Sequence, residues 1–345
     1  MRVLQAMAGR RHGGAEAFFE RLAQALAGAG LEQRLVIRRE PDRAARLKAA
    51  GLAPVELRFG GLLDVVTPWR LAAEIKAFRP QVTLTWMSRA TAALPPRWLA
   101  WDRSIRVGRL GGYYDLKYYR RCDHLIANTR DLVAYIRRGG WPESRVHYLP
   151  NFADARPQAA LDRNSLGVPG NAPLALALGR FHPNKAFDVL IQAMREVQGV
   201  YLCLAGEGDL RGSLESAVQR FGLGERIKFL GWRDDVGALM TTCDLVICPS
   251  RHEPLGNVVV EAWAHGRPVI ATASAGPAEL ITPEETGLLV PIDDVGALAG
   301  AIARLAQDGE LRRRLAAAGS AAYQREFTEA AVMRRYLDFF DAVAR

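Results

Sequence analysis

Two carboxylates, Glu253 and Glu261, stand eight residues apart in the stretch Asp244 to Ala271, DLVICPSRHEPLGNVVVEAWAHGRPVIA, and two cations, Arg180 and Lys185, stand five apart in GRFHPNKAFDVLIQAM. Carboxylates do not hold phosphate. They accept hydrogen bonds from hydroxyl groups, of which a sugar and a ribose offer several. A guanidinium and an ammonium suit a diphosphate. Together the four side chains describe a site for a molecule that carries both phosphates and hydroxyls.

The elements around them fit that use. Leu245 to Cys248 and Pro268 to Ala271 read as buried parallel strands, and Gly256 to His265 as the helix between them, with Gly266 where a helix C-terminus favours φ > 0. The loop Arg251 to Leu255 then lies at the carboxyl end of a strand and feeds a helix N-terminus, which is where ligands bind in an open α/β sheet. The N–H groups of Leu255, Gly256 and Asn257 are expected to face an anion, and Gly256 to let the backbone approach it. Leu174 to Leu178 is another buried strand. Arg180 and Lys185 leave it ahead of a helix from about Phe187.

The block PSRHEPLGNVVVEAWAHGRPVI closely resembles the E-x7-E signature of the retaining GT-B glycosyltransferases of family four, and GR-x4-K, here Arg180 to Lys185, resembles their phosphate-binding motif. The resemblance implies that Glu253 holds hydroxyls of the donor sugar, Glu261 the nucleotide ribose, and Arg180 and Lys185 the donor phosphates. That makes Glu253, Arg180 and Lys185 the expected catalytic set. It implies further donor contacts at Gly206, in the loop Gly206 to Gly208, and near the base at Trp232. Ala186 departs from the Gly that usually follows the Lys.

In the first half, Arg2 to Ala8 reads as a strand, Ala15 to Gly28 as a helix and Gln33 to Ile37 as the next strand. Gly13 and Gly14 allow close backbone approach in the loop between the first two, where the family carries a GG against the donor diphosphate and sugar. Met87 to Arg89, after the strand Val82 to Trp86, is expected to be a loop. The segment GGYYDLKYYRRCDH combines four Tyr with basic residues. It reads equally as a saccharide- or anion-binding surface and as a helix with Tyr inward and Arg outward. Arg89, Arg109, Tyr113, Tyr114 and Lys117 are the acceptor-side candidates. Many family members place a His just after the strand Arg106 to Leu110; here Arg109 to Gly112 contain none, so that contact does not carry over, and His124 reads as structural.

The resemblance implies an α/β fold of GT-B type, two doubly wound Rossmann-like domains facing a cleft: 1–152 on the acceptor side, a linker at 153–172, and a nucleotide-sugar-binding domain at 173–326. The helix 327–345 is expected to pack back on the first domain. The implied reaction moves a hexosyl-type group from a nucleotide diphosphate sugar, expected to be UDP-linked, to a hydroxyl, with retention. No D-x-D triplet is present, so a metal clamp lacks its usual ligands and none is expected.

With 345 residues, 49% hydrophobic and 24% charged, the chain is globular, and no apolar run approaches the ~20 residues needed to span a bilayer. Its four cysteines lack metal or redox spacing, as expected of a reduced cytoplasmic protein. Residues 1–150 hold 26 Lys and Arg against 13 Asp and Glu, a net +13, while the remainder is at −4, so the first half is the basic one. That suggests an anionic glycan or lipid-linked acceptor in envelope polysaccharide or lipopolysaccharide synthesis, with peripheral association at an anionic inner membrane, unless the Arg only solubilises the chain. A GT-B protein that binds or isomerises a nucleotide sugar without transfer is the alternative. Nucleic-acid binding would suit the pI near 9.7, but no motif for it occurs, and nucleic acid is not an expected partner.

Overall fold

The computed structural model describes every residue except 10, 12, 62, 63, 154, 157 and 345. The chain divides into two compact units, Met1–Asn151 with Glu329–Arg345, and Phe152–Thr328. In the first unit the order is β1 (Arg2–Met7), α1 (Gly14–Gly28), β2 (Glu32–Arg38), α2 (Pro41–Ala49), β3 (Val55–Leu57), α3 (Val66–Phe78), β4 (Val82–Trp86), α4 (Met87–Ala92), α5 (Arg97–Ala100), β5 (Ile105–Leu110), β6 (His124–Ala127), α6 (Arg130–Arg138) and β7 (Val146–Tyr148). The second holds β8 (Leu174–Leu178), α7 (Phe187–Glu196), β9 (Tyr201–Ala205), α8 (Arg211–Arg220), β10 (Ile227–Gly231), α9 (Val236–Thr242), β11 (Leu245–Cys248), α10 (Asn257–Ala264), β12 (Val269–Thr272), α11 (Ala275–Leu280), β13 (Leu288–Val290), α12 (Val295–Gln307) and α13 (Gly309–Glu326). The last helix, α14 (Glu329–Ala344), belongs to the first unit and packs against α1.

Both sheets are parallel and doubly wound. Their orders are β3-β2-β1-β4-β5-β6-β7 and β10-β9-β8-β11-β12-β13, so the order reverses between β1 and β4 and again between β8 and β11. Strands such as LALAL, LVIC and VIAT are apolar throughout because helices cover both faces. One core of the second unit packs α7 and α12 on the sheet; the other packs α10 and the end of α13.

Three expectations change. Met87–Arg89 is not a loop but the first turn of α4, which starts directly from β4 with Met87 at φ 59°. Residues 153–172 do not hang free. Leu161 N–H donates to Thr242 Oγ1 at 2.8 Å, Arg163 bonds Thr242 O and Asp244, and Leu166 and Val168 are buried, so the segment is part of the second unit. The Tyr-rich stretch forms one 3-10 turn, Leu116–Tyr119, with Tyr119 fully buried and Tyr113 and Tyr118 exposed.

Arg109 also lies where no acceptor reaches it. It is 1% exposed, with its guanidinium 4.6 Å from the Trp86 ring centre and 4.8 Å from that of Phe18. Its Nε donates to Tyr336 Oη at 2.9 Å and its Nη2 to Asn151 Oδ1 at 2.5 Å. A buried guanidinium held by two neutral oxygens and two ring faces ties α14 to β5. Arg109 is therefore a structural cation.

His124, on β6, and His147, on β7, meet at 3.0 Å between Nδ1 and Nε2, with Phe339 of α14 against both rings. Burial, with His124 adding repulsion, pushes His147 down to about 4. The folded state therefore refuses a proton that the unfolded chain accepts near 6.5. This contribution is fully present above that value and is lost as the pH falls from about 6.5 towards 4. The melting temperature should drop over that window, and His147→Gln should flatten the drop; an unchanged slope in the variant would remove the His pair from the account.

Candidate functional site

The second unit builds its site from the loops that follow β8, β9, β10 and β11. Three of these are fastened backbone to backbone. Gly179 N–H donates to Ala205 O at 3.0 Å, Gly206 N–H to Gly231 O at 2.8 Å, and Phe181 N–H to Glu207 O at 2.9 Å. Gly206 has φ 150°, and a Cβ there would lie 1.9 Å from Gly179 O, so only glycine fits between the loops.

Lys185 ends a short 3-10 turn, Pro183–Lys185, and its Nζ donates to Glu253 Oε2. The two side chains are 24% and 11% exposed. Burial alone would lower the Lys185 pKa, but the carboxylate of Glu253, with Glu261 contributing from further away, more than offsets it and holds the ammonium above its usual value. The site thus keeps a fixed positive charge beside a carboxylate.

The Glu253 loop is braced from several sides. Arg251 reaches Asp188 at 2.7 Å, Asp293 at 2.6 Å and Pro183 O at 2.9 Å, and His252 N–H donates to Asn184 O at 3.2 Å. Gly276 N–H donates to Glu253 O at 2.8 Å, and a Cβ on Gly276 would strike the Leu255 carbonyl carbon at 2.4 Å. Gly256 caps α10 at φ 79°, as its place before the helix requires. Its N–H donates to Glu253 Oε1 at 3.3 Å, so the anionic group it faces in the structure is a side-chain carboxylate. Asn257 opens α10, Leu255 is buried beside it, and Glu261 lies half-buried on the same helix.

Arg180, just past β8, is exposed and has no ion pair or hydrogen bond among the described residues, so its guanidinium is available. Trp232, past the edge strand β10, is 52% exposed and donates to Asp234 at 3.1 Å. The structure therefore brings Lys185, Glu253, Gly256, Asn257 and Glu261 together at the carboxyl ends of β8 and β11, with Arg180 and Gly206 on the adjoining loops.

In the first unit Gly13 and Gly14 open α1. Glu16 folds back beneath them: a Cβ on Gly13 would lie 2.3 Å from its Oε2 and one on Gly9 2.5 Å from its Cγ. Tyr114 is half-buried. Burial raises its hydroxyl pKa, the Glu16 carboxylate adds to the rise and Arg109 opposes it. Tyr113 donates to Asp131, Lys117 pairs with Asp115 at 2.7 Å, and Arg89 is exposed on α4 without an ion pair among the described residues. These side chains do not converge as the site on the second sheet does.

Sequence reasoning missed Asn128, 4% exposed at the end of β6, whose Oδ1 has no partner among the described residues and whose Nδ2 is 3.9 Å from where a Cβ of Gly111 would stand. It also missed Ser274, buried before α11 with its Oγ unpartnered among the described residues. Both lie just past apolar strands, which was the available signal.

The profile of the group 1 glycosyl transferases matches residues 158–322, and that of Glycosyltransferase Family 4 matches residues 12–156. The lipopolysaccharide core biosynthesis glycosyltransferase LpsD of Rhizobium meliloti (strain 1021) is 38% identical over 334 residues, covering 95% of each chain. The chain belongs to the group 1 glycosyltransferases. The fold of this glycosyltransferase is GT-B: a glycosyltransferase from Rickettsia africae superposes with a TM-score of 0.87 at 20% identity, covering 100% of this chain and 98% of that one. HepE of Anabaena, solved with UDP and glucose, gives 0.85 at 21%, covering 99% and 100%.

Gly206→Ala in this glycosyltransferase forces an L residue into left-handed backbone against a carbonyl, a strain of roughly 1–3 kcal/mol at least. The thermal midpoint should fall by several degrees, whereas Gly212→Ala, where a Cβ meets nothing within 4 Å, should leave it in place. Equal midpoints would show that the loops are not packed as described.

Proposed function

We propose that the second unit binds a nucleotide diphosphate sugar, UDP-linked, and that the enzyme transfers the sugar with retention to a hydroxyl of an anionic glycan or lipid-linked acceptor in envelope polysaccharide or lipopolysaccharide core synthesis. The observation that carries this reading is the Lys185–Glu253 pair at the reversal of the second sheet, with the unpaired Arg180 beside it. The relatedness to LpsD supports the acceptor class, and the UDP and glucose held by HepE support the donor class.

In this reading Arg180 and Lys185 take the diphosphate, and the N-terminus of α10 adds its partial positive charge. Glu253 accepts hydrogen bonds from sugar hydroxyls, and Glu261 from the ribose. Departure of the diphosphate is the costly step, and cations already in place stabilise the charge that develops on it. Lys185 remains protonated throughout because its neighbours hold its pKa high. No metal is assigned to this work. The incoming hydroxyl gives its proton to a donor phosphate oxygen on the face that the leaving group departs from, which keeps the anomeric configuration. In the first unit Gly13 and Gly14 leave the backbone at the start of α1 open to close approach, and Tyr113 and Tyr114 are taken as acceptor-side residues. The protein works in the cytoplasm, at an anionic inner-membrane surface where the acceptor is held.

Lys185→Ala should lower kcat/KM for the donor by roughly 10²–10³-fold, the scale of losing one charged group at a developing anion. Glu253→Gln should lower kcat, and because its carboxylate also holds the Lys185 ammonium, it should weaken inhibition by the free nucleoside diphosphate too, but less than Lys185→Ala does. Wild-type turnover in Glu253→Gln would overturn its assignment to the sugar.

A further inference from the structure

Helix α3 is apolar on two sides. Leu71, Ile75 and Phe78 are buried in the core of the first unit, while Val66, Trp69 and Ala73, on the opposite side, face solvent. Trp69 is 62% exposed, and Val65, just before the helix, 70%. Helix α5 packs against α3, and it adds Trp98 at 73% and, just past its end, Trp101 at 81%. Three tryptophans left mostly in water on touching elements are not ordinary surface. Exposed aromatic side chains grouped in this way mark a surface that something covers.

The charges nearby say what kind of surface covers it. Arg58, Arg70 and Arg103 are exposed and have no ion pair among the described residues. Three acids in the same segments are already engaged: Asp64 accepts from Gly60 and Thr67, Glu74 pairs with Arg34, and Asp102 is buried against Arg106. Glu56, on β3 before Arg58, is half-buried without an ion pair among the described residues, so three unpaired arginines stand against one such carboxylate and the face is apolar and net cationic. A second copy would bring like charges together. A bilayer of anionic phospholipid meets both demands, since indole rings settle at headgroup depth and arginines hold phosphates. Right-handed crossovers also set α3 and α5 on the side of the sheet away from α1, so α14, which packs on α1, leaves them uncovered.

We propose that this face seats the enzyme on an anionic phospholipid surface, with Trp69, Trp98 and Trp101 entering the headgroup layer and Arg58, Arg70 and Arg103 meeting its phosphates. The proposal rests on the reading above that the acceptor is held at a membrane, and it names the side of the molecule that docks there.

Sedimentation of the full chain with vesicles of phosphatidylcholine, alone or mixed with phosphatidylglycerol, tests it. The wild type should bind the mixed vesicles, lose binding in high salt and show blue-shifted tryptophan emission. The double variant Trp98→Ser, Trp101→Ser should bind them roughly tenfold or more weakly, as should Arg70→Glu with Arg103→Glu, each with an unchanged melting temperature. Equal vesicle binding by wild type and both variants would overturn this face while leaving the membrane-held acceptor standing. No binding of the wild type to any vesicle would overturn both. A concentration-dependent dimer abolished by the Trp substitutions would show that a second copy covers the face, and would overturn the lipid assignment.

Discussion

The site of the second unit is organised around one ion pair. Lys185 and Glu253 come from loops 68 residues apart, and they meet because β8 and β11 are neighbours at the point where the strand order reverses. The pair is mutually supporting: Lys185 is half-buried, and the Glu253 carboxylate holds its ammonium above the usual value despite that burial. The surrounding bonds hold both loops in register, with Arg251 stitching the 3-10 turn to α7 and Gly276 cradling the Glu253 backbone. A charged pair held this firmly needs little reorganisation when a phosphorylated ligand arrives, which is the condition for electrostatic catalysis.

The first unit uses its cation differently. Arg109 stands near the end of β5, yet it points into protein and joins β5, Asn151 and Tyr336. Its burial between Trp86 and Phe18 fixes α1, which follows Gly13 and Gly14, against the sheet. The glycine loop is thus positioned by a core interaction, and the Glu16 side chain occupies the space a Cβ at Gly9 or Gly13 would take.

Much of the architecture could be read from residue patterns. Unbroken apolar runs such as LVIC and LALAL lie on strands, and the glycine after His265 adopts φ 63°. What escaped was set by contacts remote in sequence. Nothing local in MSRATA says that β4 turns into a helix at Met87, because a residue at positive φ is tolerated only once surrounding packing demands it. Arg109 looked like a ligand-binding cation since arginines are usually exposed; only the distant Asn151 and Tyr336 make it a core residue. The polar stretch 153–172 read as linker by composition, but Arg163 and Gln158 find backbone partners on α9 and beyond, which composition does not encode. The pairing of Lys185 with Glu253 was also beyond reach, although both residues were singled out, because it depends on strand order.

The central claim is that this pair, with Arg180, forms a diphosphate-sugar site that works without a metal. Calorimetric titration of UDP-sugars into the full chain in the presence of EDTA tests it most directly. The account predicts one saturable site per chain, with affinity unchanged by added magnesium and lost when Lys185 is replaced by alanine. Absence of binding until a divalent cation is supplied, or full affinity in the alanine variant, would contradict it.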